Sequence, residues 1–163
     1  MAIDNENILQ QDEAPADETT KDQYLTFEID NEEYAVGIAY VKEIAMMVPI
    51  TKVPETPDYV EGIINVRGDI APVINVRKRF MKESKPFDES TCIVFVVYKD
   101  YYLGLIADAV REVVFIYESD IVPPPSAKMS FHNQFIKSIG KVGAKVKLIL
   151  DLDRFLLQEG HLI

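Results

Sequence analysis

Few residues in this chain have the chemistry of a nucleophile, a general base or a metal ligand. Cys92 is the only cysteine, and His132 and His161 are the only histidines. A thiolate nucleophile needs a base or a positive field beside it; Cys92 instead opens the apolar run 91–98, where a small packed hydrophobe is the expected role. One cysteine makes no internal disulfide, and two distant histidines cannot assemble a zinc cluster. His132 stands in a polar stretch and His161 near the end of the chain, and both read as surface residues. Asp151 and Asp153 have the spacing to share a divalent cation, yet two carboxylates at the start of an apparent helix more simply cap its free N–H groups. No GxxxxGK[ST] loop, no GxGxxG and no HExxH occurs. The expectation is a binding protein: no enzyme, no cofactor, no metal.

The elements that must position any binding surface read as β structure. Residues 23–30 and 34–38, rich in aromatic and β-branched side chains, predict a hairpin about a turn at Asn31-Glu32. A second pairs 62–66 with 70–74, with Gly68 supplying positive φ to the turn. The segments 91–98 and 101–106 form a third about Lys99-Asp100, and 136–142 with 145–150 a fourth about Gly143-Ala144. Short helical turns follow at 76–81 and 153–158, capped by Asn75 and Asp151.

These elements repeat. Phe27 to Tyr34 aligns with Phe95 to Tyr102, Val41-Lys-Glu-Ile44 with Val110-Arg-Glu-Val113, and Val73-Ile-Asn-Val76 with Ile149-Leu-Asp-Leu152, at offsets of about 68 to 76 residues. Each unit is too small to bury much by itself, so the expected fold is all-β: two five-stranded barrels around a shared core, with short helical turns. The groove between two such barrels is a favoured place for binding.

The 163 residues carry a formal charge of −10. Seven acids against Lys21 put −6 of it on residues 1–22, which predicts a disordered acidic leader, or an arm that docks on a basic partner, ahead of a domain at 23–163. The subdomain boundaries are expected to interleave near 82–92 and in the C-terminal segment. No apolar run is long enough to span a bilayer, and nothing resembles a signal peptide, so a cytoplasmic location is expected. The single basic concentration, Arg77-Lys-Arg-Phe-Met-Lys82 with Lys85, reads as a solvated or partner-facing helix. With the tyrosines it also supports an alternative, a small β-barrel nucleic-acid binder, against which the net negative domain argues.

Gly62-Ile-Ile-Asn-Val-Arg-Gly68, followed by Pro72-Val-Ile-Asn-Val-Arg77 and Phe80, strongly resembles the signature of the CheW family of chemotaxis coupling proteins. Residues 28–34, Val41-Lys-Glu-Ile44, Val53-Pro-Glu-Thr-Pro57, 104–110 and 148–152 fall in family order, so the likeness covers about residues 23–158. It implies two SH3-like subdomains and an adaptor without catalysis. Such an adaptor joins the cytoplasmic tip of methyl-accepting chemoreceptors to the regulatory domain of the histidine kinase CheA, in membrane-associated arrays. A coupler for a pilus or other non-flagellar pathway is the related alternative.

The resemblance also assigns residues. Arg67 matches an arginine at the family's receptor groove that pairs with the acid at Glu43, and a partly buried, bidentate pair is expected to hold that groove in shape. Asn65 and Gly62 would line it, Gly62 because a Cβ would obstruct a docked helix, with Val41 and Ile93 on its apolar wall. For the kinase, the uncharged run Met46, Met47, Val48 and Ile50 about Pro49 holds the candidates, Met47 and Val48 foremost. A second kinase contact would use Ile121, Val122, Pro123 and Pro125, which keep the family's I-x-P-x-P shape. Ala127 departs from the family, where a large aromatic is frequent.

Overall fold

The computed structural model describes residues 20–125, 134–158 and 161–162, the last four of these (157, 158, 161 and 162) by backbone alone. Residues 1–19 of the acidic leader, Ala127 and His132 lie outside the described residues, as does the His161 side chain. The strands are β1 (Gln23–Ile29), β2 (Glu32–Gly37), β3 (Val41–Met46), β4 (Val60–Val66), β5 (Asp69–Asn75), β6 (Cys92–Tyr98), β7 (Tyr101–Ala107), β8 (Ala109–Phe115), β9 (Ile121–Val122), β10 (Ile136–Val142), β11 (Lys145–Leu150), β12 (Leu157–Gln158) and β13 (His161–Leu162). Two short helices, α1 (Val76–Arg79) and α2 (Leu152–Leu156), follow β5 and β11. Among the described residues no helix is long and apolar enough to cross a membrane.

All four expected hairpins form, on two-residue turns. The first turn is Asp30-Asn31 rather than Asn31-Glu32, with φ of 53° and 65°, and Lys99-Asp100 repeats it at 47° and 66°. Positive φ at both central residues gives a turn whose twist matches that of the paired strands, and Asp and Asn bear that conformation at little cost.

The sheets are built by exchange. The five-stranded sheet runs β3-β6-β7-β5-β4, and the six-stranded sheet β8-β1-β2-β11-β10-β9. The first therefore combines the β6–β7 hairpin with three strands from the other half of the chain, and the second the β1–β2 hairpin with four; apart from the two-residue β9 the orders are identical. The duplication reaches the irregularities. Pairing shifts between Val60 and Gly62 on β4, and between Ile136 and Ser138 at the equivalent place on β10. The Asn75 amide donates to the Tyr59 carbonyl and the Asp151 amide to that of Phe135, both at 2.7 Å. Both expected caps form: Asn75 Oδ1 accepts from the Lys78 amide and Asp151 Oδ1 from that of Arg154.

The exchange creates the shared core. Strand β6 is buried on both faces: Ile93 and Phe95 point into the five-stranded barrel with Ile64, Val73 and Ile106, while Val94 and Val96 face the other sheet. There they meet Leu25, Phe27, Tyr34 and Val36, and the rings of Phe80, Phe135 and Phe155 close the cluster. Ala35, Val114, Ile116 and Ile149 fill the second barrel.

Candidate functional site

The β4–β5 turn holds an arginine in the left-handed backbone conformation. Gly68 has φ 94°, as its lack of a Cβ permits, but Arg67 before it also lies at φ 53°. A left-handed arginine costs about 1–2 kcal/mol relative to its ordinary conformations. The turn is held by Asn65, whose Oδ1 accepts from the Gly68 amide at 2.8 Å. Asn65 therefore shapes the loop that presents Arg67, and its own side chain is engaged in that loop.

Arg67 reaches over the sheet to Glu43 on β3. Its Nη2 donates to Glu43 Oε2 at 3.5 Å, and the Arg67 side chain is 85% exposed against 27% for Glu43. The expected pair exists, but as a single long contact at the surface. It is neither bidentate nor buried, because the left-handed turn lifts the guanidinium clear of the sheet. The second carboxylate oxygen is taken from below: Tyr102 of β7 donates its hydroxyl to Glu43 Oε1 at 3.3 Å. Burial, together with the Glu43 charge and this hydrogen bond, raises the Tyr102 phenol above its ordinary pKa.

Around this group opens a cleft of about 520 Å³. Its rim is charged (Lys42, Glu43, Arg67, Asp69, Asp100), and its walls are Val66, Ile70, Pro72, Val97, Tyr101 and Tyr102. Ile70, Val97 and Tyr101 are among the large apolar side chains the fold leaves exposed. An apolar trough with a polar rim suits an amphipathic segment better than a small polar substrate.

Three of the expected groove residues sit elsewhere. Ile93 has no exposed surface and packs inside the five-stranded barrel, since its position on β6 points inward, so it is not part of an exposed wall. Val41 packs, half-buried, on the shared core at the start of β3. Gly62 is buried with φ 149°, and a Cβ there would stand 2.1 Å from the Thr51 carbonyl oxygen. The obstruction is the chain's own bridge between Thr51 and Ile63, not a docked helix.

The apolar run after β3 divides by period two. Ile44, Met46 and Val48 face solvent at 46%, 64% and 43% exposure. Met47 and Ile50 turn inward onto the barrel core, which removes Met47 and Ile50 from the expected exposed patch and substitutes Met46. On β8, the repeat-equivalent edge strand, and just past its end, Val113, Phe115 and Tyr117 are exposed in the same alternation, with the last two rings stacked at 6.2 Å. The sequence carries no alternation that would have shown this second stripe: Val113-Val-Phe-Ile-Tyr117 is a continuous apolar run, and only the burial of Val114 and Ile116 separates its two faces. Ile121 and Val122 are half-buried and pair with β10, Ile121 packing on the second barrel's core; Pro123 and Pro125 are exposed.

The basic segment is not a solvated helix face. Arg77 Nε and Nη2 grip Asp108 at 2.8–3.0 Å, and Asp108 Oδ2 also accepts from the Asp30 amide, joining α1 to the β1–β2 turn of the other sheet. Arg79 is buried. Its guanidinium lies 4.5 Å from the ring centroids of both Tyr59 and Phe135. With these two arginines committed inside the fold, the stripe a nucleic-acid backbone would need is missing from this segment. Cys92 is buried and burial pushes its thiol up, the reverse of an activated nucleophile. Among the described residues no three His, Cys, Asp or Glu side chains gather as a metal site.

Comparison with known proteins matches residues 23–159 to the family described as the CheW-like domain. The chemotaxis protein CheW of Helicobacter pylori is 33% identical over 137 residues, covering 84% of this chain and 82% of that one. That of Klebsiella aerogenes is 28% identical over 144 residues, 88% and 87% of the two chains. The crystal structure of the scaffolding protein TtCheW from Thermoanaerobacter tengcongensis superposes with a TM-score of 0.80 at 36% identity, covering 87% of this chain and 97% of that one.

Proposed function

This chain belongs to the CheW-like family, and from that membership we propose that it is a chemotaxis adaptor coupling the cytoplasmic tip of methyl-accepting receptors to the histidine kinase CheA. It does so by position, without chemistry of its own. The observation that carries the receptor side is the cleft of about 520 Å³ with Glu43 and Arg67 on its rim: apolar walls, with a charge of each sign at its mouth. A receptor tip presents helices, and recognition is helix-in-groove, with apolar anchors on Val66, Ile70 and Val97 and orientation set by the rim charges.

The kinase side uses the two edge stripes. Ile44 and Met46 on β3 with Val48 just beyond it, and Val113, Phe115 and Tyr117 with the exposed prolines Pro123 and Pro125, supply two apolar surfaces related by the internal repeat. Two similar surfaces suit a partner contacted twice, once through each subdomain. The adaptor works in the cytoplasm and is drawn to membrane-associated arrays by its receptors. Receptor and kinase states are then linked because each partner biases one common assembly.

Reconstitution tests the reading. Receptor-containing membranes, kinase and this chain are mixed and kinase autophosphorylation is followed with and without attractant. The expected result is receptor-gated kinase activity that depends on the chain and is lost with Arg67→Glu. Activity indifferent both to the chain and to that substitution overturns it.

A further inference from the structure

Glu43 is a carboxylate on an edge strand, placed just after a shift in the β3–β6 pairing, and Arg67 alone directs it poorly. The arginine is almost wholly exposed, contacts one oxygen at 3.5 Å, and such surface pairs are screened and mobile. Tyr102 differs in kind. Its ring lies 5.6 Å from that of Phe95 and packs on the core of the five-stranded barrel. Opposite Phe95 stands Gly104, where a Cβ would meet the Phe95 ring at 3.2 Å, so the phenylalanine leans over β7 toward Tyr102. A rooted ring thus brings its hydroxyl to Oε1, while the mobile cation takes Oε2.

We propose that Tyr102 is the positioning residue of this site: it fixes the Glu43 carboxylate through Oε1, so that Arg67 can pass from Oε2 to an acidic side chain of the docked receptor helix while Glu43 keeps its direction. The proposal rests on the receptor reading of the cleft. It separates the pair into a fixed member, Glu43 held by Tyr102, and an exchangeable one, Arg67.

The test is a double-mutant cycle in the full chain, read as binding to a soluble cytoplasmic fragment of a chemoreceptor, with thermal melts as a control on folding. Tyr102→Phe keeps the ring and removes the hydroxyl. It is expected to weaken binding about fivefold, and Glu43→Gln at least as much. In the Glu43→Gln background, Tyr102→Phe is expected to change affinity by less than about twofold, because its action runs through the carboxylate. A loss of equal size in both backgrounds would mark Tyr102 as a packing residue and overturn the proposal. So would an unchanged affinity for Tyr102→Phe when Glu43→Gln binds weakly, leaving the receptor reading intact. Full affinity in Glu43→Gln and Arg67→Glu would overturn the receptor reading itself, and the proposal with it.

Discussion

Arg79 of α1 donates its Nε to the carbonyl oxygen of Phe155 in α2 at 3.0 Å, across the pseudo-symmetric junction of the two halves. A second contact reaches the Arg154 carbonyl at 3.4 Å. The last carbonyls of a helix have no partner of their own, and a buried guanidinium between aromatic faces satisfies them without a carboxylate. Arg79→Met is expected to lower stability by about 2–4 kcal/mol, read as a drop in the urea midpoint. A midpoint equal to that of the unsubstituted chain would show that the junction does not depend on this contact.

Acid should loosen the clamp between the sheets. Burial pushes the Asp108 carboxyl up, but the hydrogen bonds from Arg77 and the Asp30 amide and the Arg77 charge outweigh it, holding Asp108 below the usual carboxylate range. A depressed folded-state pKa contributes stability above the unfolded value of about 3.9, and that contribution is lost as pH falls through the folded value. Thermal melts between pH 7 and pH 2 should show Asp108→Asn less stable than the unsubstituted chain at neutrality and losing less on acidification. Parallel pH profiles for the two would contradict this assignment.

Arg67 should cost stability where it serves binding. Asparagine accepts the left-handed conformation more readily, so Arg67→Asn is expected to raise folding stability by about 0.5–1 kcal/mol while abolishing receptor control in the reconstituted assay. A less stable Arg67→Asn chain would mean that the Glu43 contact outweighs the backbone strain.

Gly62→Ala separates a packing role from a binding role. With the Thr51 carbonyl in the space a Cβ would occupy, the substitution should destabilise the fold by roughly 3 kcal/mol, and the melting temperature should fall before any partner is added. Normal stability with lost receptor binding would return Gly62 to the cleft.

Neighbouring methionines should behave oppositely. Met46→Glu, on the exposed stripe, is expected to fold within about 0.5 kcal/mol of the unsubstituted chain and to weaken kinase binding. Met47→Glu places a charge against the barrel core and should cost about 1–3 kcal/mol. Equal effects from both on stability would place the two side chains in similar surroundings, against the alternation of β3.

Much of the fold was legible because its signals are local. Hairpins announced themselves by alternation and by pairs such as Lys99-Asp100, and Asn75 and Asp151 by their place ahead of α1 and α2. The Glu43–Arg67 pair followed from the family likeness, whereas the turn that carries Arg67 followed from the paired apolar runs and Gly68. Ile93 and Met47 were misplaced for one reason: the phase of a period-two pattern cannot be set without knowing both faces of the strand, and β6 is buried on both. Tyr102 was hidden because nothing local links it to Glu43, with β6 lying between their strands. Arg79 was hidden because Arg77-Lys-Arg reads as surface charge until α2 is brought against it.

By itself the sequence determined a duplicated β chain and the turn that carries Arg67, since alternation, turn chemistry and residue type act over a few neighbours. Only the tertiary structure decided which hairpin completes which sheet. The two halves present nearly equivalent strand edges, so local preference does not separate self-pairing from exchange. The connections do: Asp108 alone joins β7 to β8, too few residues for a hairpin, so the chain must leave one sheet for the other there. That crossing brings Asp108 to Arg77, buries β6 on both faces and places Tyr102 beneath Glu43, an arrangement that long-range packing selects and no short stretch of sequence encodes.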